Sequence, residues 1–313
     1  MLDILAITFP IYAAILIGYA IVARGWFSAA DMRTLGKYVL NIALPALLFK
    51  AVASRDLAEI FHPGYLTVFL LGGLAAIAVA FCWFTFAASD PARRAVATLG
   101  SSCPNSGFIG YPVMLLVFPD LAGIVLALNF LVENVVLIPI CLILMDMSKD
   151  GDHGSILKRI ANILWGVARR PMVIGLALGI VVSVSGISLP SPAMRLLEML
   201  AASAAALSLI VIGGSLFGLP AKGNRALATQ IAVGKLAVHP ALVALVVVAL
   251  PVLGMTLSPE LAVAAILSAA MPMFGIYAVL AQERGLEGLA SLAMLIATSA
   301  AFVTLSLLLL WLA

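Results

Sequence analysis

Two apolar stretches 168 positions apart are interrupted in the same way. Leu99-Gly100-Ser101-Ser102-Cys103-Pro104-Asn105-Ser106-Gly107 reads against Leu267-Ser268-Ala269-Ala270-Met271-Pro272-Met273-Phe274-Gly275, with Leu, Pro and Gly at matching places. Proline removes a helix donor and clashes with the preceding turn. Within a bilayer such a break persists only where protein or a wet cavity satisfies the freed backbone. Matched breaks in two halves of a chain point to a carrier's binding site. Half-helix N-terminal ends carry about half a positive charge and unpaired N–H groups, which suit a carboxylate. The C-terminal ends and unwound carbonyls suit a cation or a proton-bearing group. Asn105 and Ser106 supply polar atoms beside the first proline, and Gly107 comes directly after them. Pro272, Met273, Phe274 and Tyr277 make the other side an apolar and aromatic wall with one hydroxyl. That lopsided lining fits a small organic anion with a hydrophobic body.

Further candidates sit in other apolar runs. Glu133 lies mid-span with Asn129 one turn earlier on the same face. Intramembrane acids are candidate functional groups by default. Glu133 is therefore the expected coupling group, for a proton or, with Asn105, for sodium, against the alternative of a structural partner for a broken helix. Lys235 and His239 are four apart. They form a cationic patch facing the bundle, or Lys235 snorkels to the cytoplasmic interface or pairs structurally, the favoured reading given Arg225 only ten residues away. His239 reads as a packing residue. Asn41, near Pro45, is a weaker site candidate. Pro10, Pro45, Pro139 and Pro240 read as packing kinks. Glycines at 213, 214 and 218, and the pair Gly175 and Gly179, read as close helix contacts.

These residues need a membrane-spanning frame. The chain has 313 residues, 64% hydrophobic and 10% charged, with a mean hydropathy of +1.21. A soluble domain carries about 25% charged residues, so the expected class is an all-α membrane protein. Net charge of +3 gives no reason to expect nucleic acid. Cys82, Cys103 and Cys141 show no paired spacing, and the scattered His62, His153 and His239 exclude an H-E-x-x-H site, so no metal is expected. The first apolar segment, with Asp3 and no leading basic residue, reads as a helix rather than a cleaved signal.

At about 20 residues per crossing, ten spans are expected. In the first half they lie near 4–23, 38–54, 64–88, 94–117 and 122–146. In the second they lie near 171–189, 194–218, 226–250, 259–282 and 288–312. Spans 4 and 9 are the broken pair. Five crossings return the chain to the opposite side, so a repeated five-span unit must be inverted. The expected organisation is a first repeat over 1–148, a cytoplasmic linker over 149–170 and a second repeat over 171–313. The linker middle (Ile156, Leu157, Ile160, Ile163, Leu164) could form a short surface helix, but a basic loop is favoured. With the N-terminus outside, thirteen Lys and Arg fall in inward loops against Lys50, Arg55 and Arg195 outward. Both termini are therefore expected outside the cytoplasm, in the inner membrane.

The stretch Asn41-Ile42-Ala43-Leu44-Pro45-Ala46-Leu47-Leu48-Phe49 and the run Pro104-Asn105-Ser106-Gly107-Phe108-Ile109-Gly110-Tyr111-Pro112 are familiar in combination. With Arg169-Arg170-Pro171, Lys235-Leu236-Ala237-Val238-His239-Pro240 and the Pro272 span, they resemble the auxin efflux carrier family, over essentially the whole chain. It looks like a compact prokaryotic-type member without a long central loop. The resemblance implies ten helices in a five-plus-five inverted repeat, a scaffold and a transport domain, and crossed broken helices at Pro104, Asn105 and Pro272. It also implies a fold shared with sodium–bile acid symporters and sodium/proton antiporters, and organic anions such as auxin or malonate as substrates. Met271-Pro272-Met273 departs from the pattern, having no polar residue beside the proline.

The expected function is a secondary or potential-driven carrier of a small carboxylate, not an enzyme. The alternative is a sodium- or proton-coupled cation antiporter of the same fold. No nucleotide-binding loop occurs, and no cofactor is expected. Expected partners are the anion, Na+ or H+, the lipid bilayer and a second copy in a homodimer.

Overall fold

A computed structural model describes residues 2–148, 156–187, 189–219 and 223–312. They fold into helices, and a single isolated bridge is the one β-type pairing among them. In chain order the helices are α1 (Leu2–Ala23), α2 (Ala29–Ala53), α3 (Pro63–Ala87), α4 (Pro91–Ser102), α5 (Ser106–Val117) and α6 (Ala122–Met147). They continue as α7 (Ile156–Ala168), α8 (Pro171–Ser185), α9 (Ser191–Leu216), α10 (Arg225–Leu253), α11 (Pro259–Ala270), α12 (Tyr277–Gln282) and α13 (Glu287–Leu312).

Six of these (α2, α3, α6, α9, α10 and α13) are long and apolar enough to cross a membrane, or seven if the pair α7–α8, bent by 68°, counts as one span. The chain is an integral membrane protein. Residues Thr8–Ala23 of α1, together with α5 and α11, are shorter apolar helices.

Four helices contain a π turn: Val39–Ala43 in α2, Ser106–Gly110 in α5, Glu133–Leu137 in α6 and Gly234–Val238 in α10. Each is succeeded by a proline six positions after its first residue, at Pro45, Pro112, Pro139 and Pro240. Proline has no N–H to continue the ladder, and its ring clashes with the carbonyl four residues back. The π turn relieves both problems by widening the loop before it. Leu44, Ile138 and His239, each just before its proline, donate instead to the fifth residue back: Val39, Glu133 and Gly234. Pro45, Pro139 and Pro240 are thus not simple kinks; each ends a π turn.

The helices separate into two compact units. The first comprises Met1–Pro63, Ser106–Phe130 and Val167–Gly218, the second Gly64–Asn105, Leu131–Gly166 and Leu219–Ala313. Within the first, α1 lies against α9 and α8 against α2. A Cβ on Gly213 would run into the Ile15 carbonyl, and one on Gly175 would lie 2.6 Å from the Pro45 oxygen. Gly179 sits similarly against Phe49. These glycines let backbones touch, as small residues do in membrane interfaces. Gly218 does not: it lies just past the end of α9 at φ +72° with open space around it. There the requirement is backbone conformation, which only glycine adopts without strain, and the expected helix contact is corrected.

The segment between the halves also differs from expectation. Instead of a plain loop it contains the thirteen-residue α7. Leu157, Leu164 and Trp165 are exposed along it, an i, i+7, i+8 stripe that marks a surface helix with an apolar side. Apolar residues at helical spacing override the polar average of the region. Lys149, Asp150, Asp152 and Lys222 lie outside the described residues, as do the side chains of Ile156, Lys158, Arg159 and Ile160.

Candidate functional site

The second unit contains both breaks, and their first halves are built alike. Helices α4 and α11 are twelve residues each and start 168 positions apart. Asp90 caps the first, accepting from the Arg93 N–H at 2.8 Å. Ser258 caps the second, accepting from the Leu261 N–H at 3.3 Å. A proline occupies the first helical position after each cap, where its missing N–H costs nothing. Each helix then stops two residues before the proline of its break. Cap, proline and stop recur in register, a signal the residue types at positions 90–91 and 258–259 carry.

Past these ends both chains run extended and pair. Pro104 and Met273 form an antiparallel bridge. The Asn105 N–H donates to the Pro272 carbonyl at 2.8 Å, and the Phe274 N–H to the Cys103 carbonyl at 3.3 Å. One backbone donor of each break thus finds its acceptor in the other, as an interrupted helix in a dry environment requires. The second break is the longer, since α12 starts only at Tyr277 and has six residues.

Pro104, Asn105, Pro272, Met273 and Tyr277 are buried here, with Asn105 at 3% exposure, and Phe274 is half-buried. The Tyr277 hydroxyl donates to the Val96 carbonyl at 3.0 Å. It therefore ties α12 to α4, a role beyond that of a hydroxyl on the apolar wall. Tyr277 crosses α4 at Gly100, where a Cβ would meet its ring and hydroxyl at 2.5 Å. Gly100 is visible in the repeat, but the reason for it is not. Tyr65 and Ser268 hydroxyls meet at 3.4 Å, tying α3 to α11. Ser106 and Gly107 are buried at the start of α5, which belongs to the first unit.

The charged candidates resolve differently from one another. Lys235 is fully buried, so it does not snorkel. The π turn of α10 carries it, and its Nζ donates to the Ala269 carbonyl at 2.5 Å and lies 3.0 Å from His239 Nδ1. Glu133, 4% exposed, is carried by the π turn of α6. Asn129 is buried one turn before Glu133. Asn41 is exposed in the first unit, its amide donating to the Lys37 carbonyl at 2.7 Å. Its amide thus serves its own helix.

Residues 4–309 match the family described as Membrane transport protein. The chain belongs to this family. The auxin efflux carrier resemblance is thereby borne out. Among curated relatives, the "Uncharacterized transporter YfdV" of Escherichia coli (strain K12) is 31% identical over 189 residues, 58% of this chain and 59% of that protein. The aligned part thus spans under two thirds of YfdV. An "Uncharacterized transporter" of Methanothermobacter thermautotrophicus is 26% identical over 275 residues, 87% of this chain and 86% of its own. A "Putative malonate transporter" of Rhizobium meliloti (strain 1021) is 25% identical over 312 residues, 98% of this chain and 95% of its own.

Proposed function

We propose that this family member is a secondary or potential-driven carrier of small organic anions, with ten spans in a five-plus-five inverted repeat and alternating access at the crossing of its two breaks. The observation that carries the reading is the pairing of the two prolyl segments, Pro104 against Met273 and Asn105 against Pro272. Two interrupted helices meeting at one point concentrate oriented backbone dipoles there, the arrangement carriers use for charged solutes. The matched lengths and caps of α4 and α11 support the repeat. The anion is proposed to contact Asn105 and Pro104 on one side and Pro272, Met273 and Phe274 on the other. The inner membrane, with both termini outside, is the proposed placement.

The substrate class is proposed as a carboxylate, a choice the name of the Rhizobium relative supports. The test is a thermal-shift and proteoliposome-uptake series with malonate, longer dicarboxylates, monocarboxylates and indole acids. Stabilisation and uptake of one carboxylate class is expected; response to inorganic cations alone would overturn the reading. Asn105→Ala is expected to weaken binding of the active anion about ten- to a hundredfold, as losing one hydrogen bond to a charged group costs roughly 1.5–3 kcal/mol. Full retained affinity in a folded variant would remove Asn105 from the site. Glu133 is proposed as the coupling carboxylate. Glu133→Gln should flatten the pH dependence of uptake, and an unchanged profile would reassign Glu133 to structure.

A further inference from the structure

The last four carbonyls of a helix lack intrahelical donors, and that end carries about half a negative charge. At a break this end cannot be hydrated as it would be at a protein surface. It must be met by a donor, a cation or water. For α11, which ends at Ala270, one of these four carbonyls belongs to Ala269, and it accepts from the fully buried Lys235 amine at 2.5 Å.

Two features make this a built arrangement rather than a chance contact. The π turn Gly234–Val238 sets the direction in which Lys235 leaves α10. His239, also fully buried, holds the amine from the other side, its Nδ1 3.0 Å from Nζ. With the amine donating, Nδ1 accepts and the ring proton sits on Nε2, which has no hydrogen-bond partner among the described residues.

We infer that Lys235 is a resident cation: it stands at the negative end of α11 in the place a carrier driven by a metal cation would reserve for its coupling ion. The chain therefore needs no Na+ at this crossing, and His239 positions the amine. The inference rests on the anion-carrier reading only for what Na+ independence means in transport. The occupancy of the helix end is a statement about the protein alone, and its test uses no substrate.

The purified full chain is melted in choline chloride, potassium chloride and sodium chloride at matched ionic strength. The wild type is expected to melt within about 1 °C in all three. Lys235→Gln is expected to lose about 3 °C or more in choline and to regain part of that in sodium, which can then occupy the vacated end. Lys235→Arg is expected to behave as the wild type. Sodium-specific stabilisation of the wild type would overturn the inference, and so would a Lys235→Gln variant that melts like the wild type in every salt. Where Lys235→Gln does not fold, the wild-type salt series and Lys235→Arg still decide. In proteoliposomes, malonate uptake by the wild type is expected at equal rates with sodium or choline outside. Absence of any malonate uptake would count against the carrier reading for that anion and leave the melting comparison to judge Lys235.

Discussion

Replacing Gly100 by alanine is expected to destabilise the second unit although alanine is the better helix former. In an open helix the change would gain about 1 kcal/mol. Here the new methyl would lie 2.5 Å from the Tyr277 ring and hydroxyl and 2.8 Å from Ile231. Tyr277 cannot swing aside: it is fully buried and its hydroxyl is fixed on the Val96 carbonyl. Overpacking of this kind costs about 1–3 kcal/mol, and the displaced ring would carry the start of α12 with it. Thermal melting of Gly100→Ala should fall accordingly, and anion binding should weaken with it. Because the obstacle is a side chain, the double variant Gly100→Ala with Tyr277→Ala should lose less than the two single changes added together. Strict additivity would show that Gly100 and Tyr277 do not press on each other.

Gly213→Val in the first unit is expected to have the larger effect, without any such rescue. Its Cβ would overlap the Ile15 carbonyl, carbon and Cα, so α1 and α9 would have to move apart as whole helices. Trimming the Ile15 side chain to alanine leaves that backbone in place. The expected result is loss of monodisperse folded protein on size-exclusion chromatography, with Ile15→Ala failing to restore it. A Gly213→Val protein that elutes and melts like the wild type would contradict the close backbone approach.

Much of the crossing is legible in the sequence because proline and glycine act through local rules. A proline ends a hydrogen-bond ladder wherever it falls, so Pro104 and Pro272 mark their breaks directly. The partners of those breaks are not legible. Nothing in the spacing of Tyr277 says that its hydroxyl reaches Val96, a contact between residues 181 positions apart. Lys235 differs from expectation for a related reason. Ten residues from Arg225 is about 15 Å along a helix, which places the amine near an interface by depth alone. Whether it leaves the helix toward lipid or toward α11 depends on azimuth, and the π turn alters azimuth in a way a 3.6-residue period does not anticipate. The linker helix is hidden by averaging: charged residues lower the mean hydropathy of the segment while Leu157, Leu164 and Trp165 keep helical spacing.

Each π turn amounts to an α-helix carrying one surplus residue, and a surplus residue can be lost by excision of a single codon. Removing Val238 would return that stretch of α10 to ordinary winding and change where the residues of the former turn point, while the helix on either side keeps its register. Lys235 would keep its chemistry and lose its bearing on Ala269. Ser106, Glu133 and Lys235 all sit on such turns. Short insertions and deletions in this chain therefore act as rotary adjustments of its buried polar groups, re-aiming them without changing any side chain.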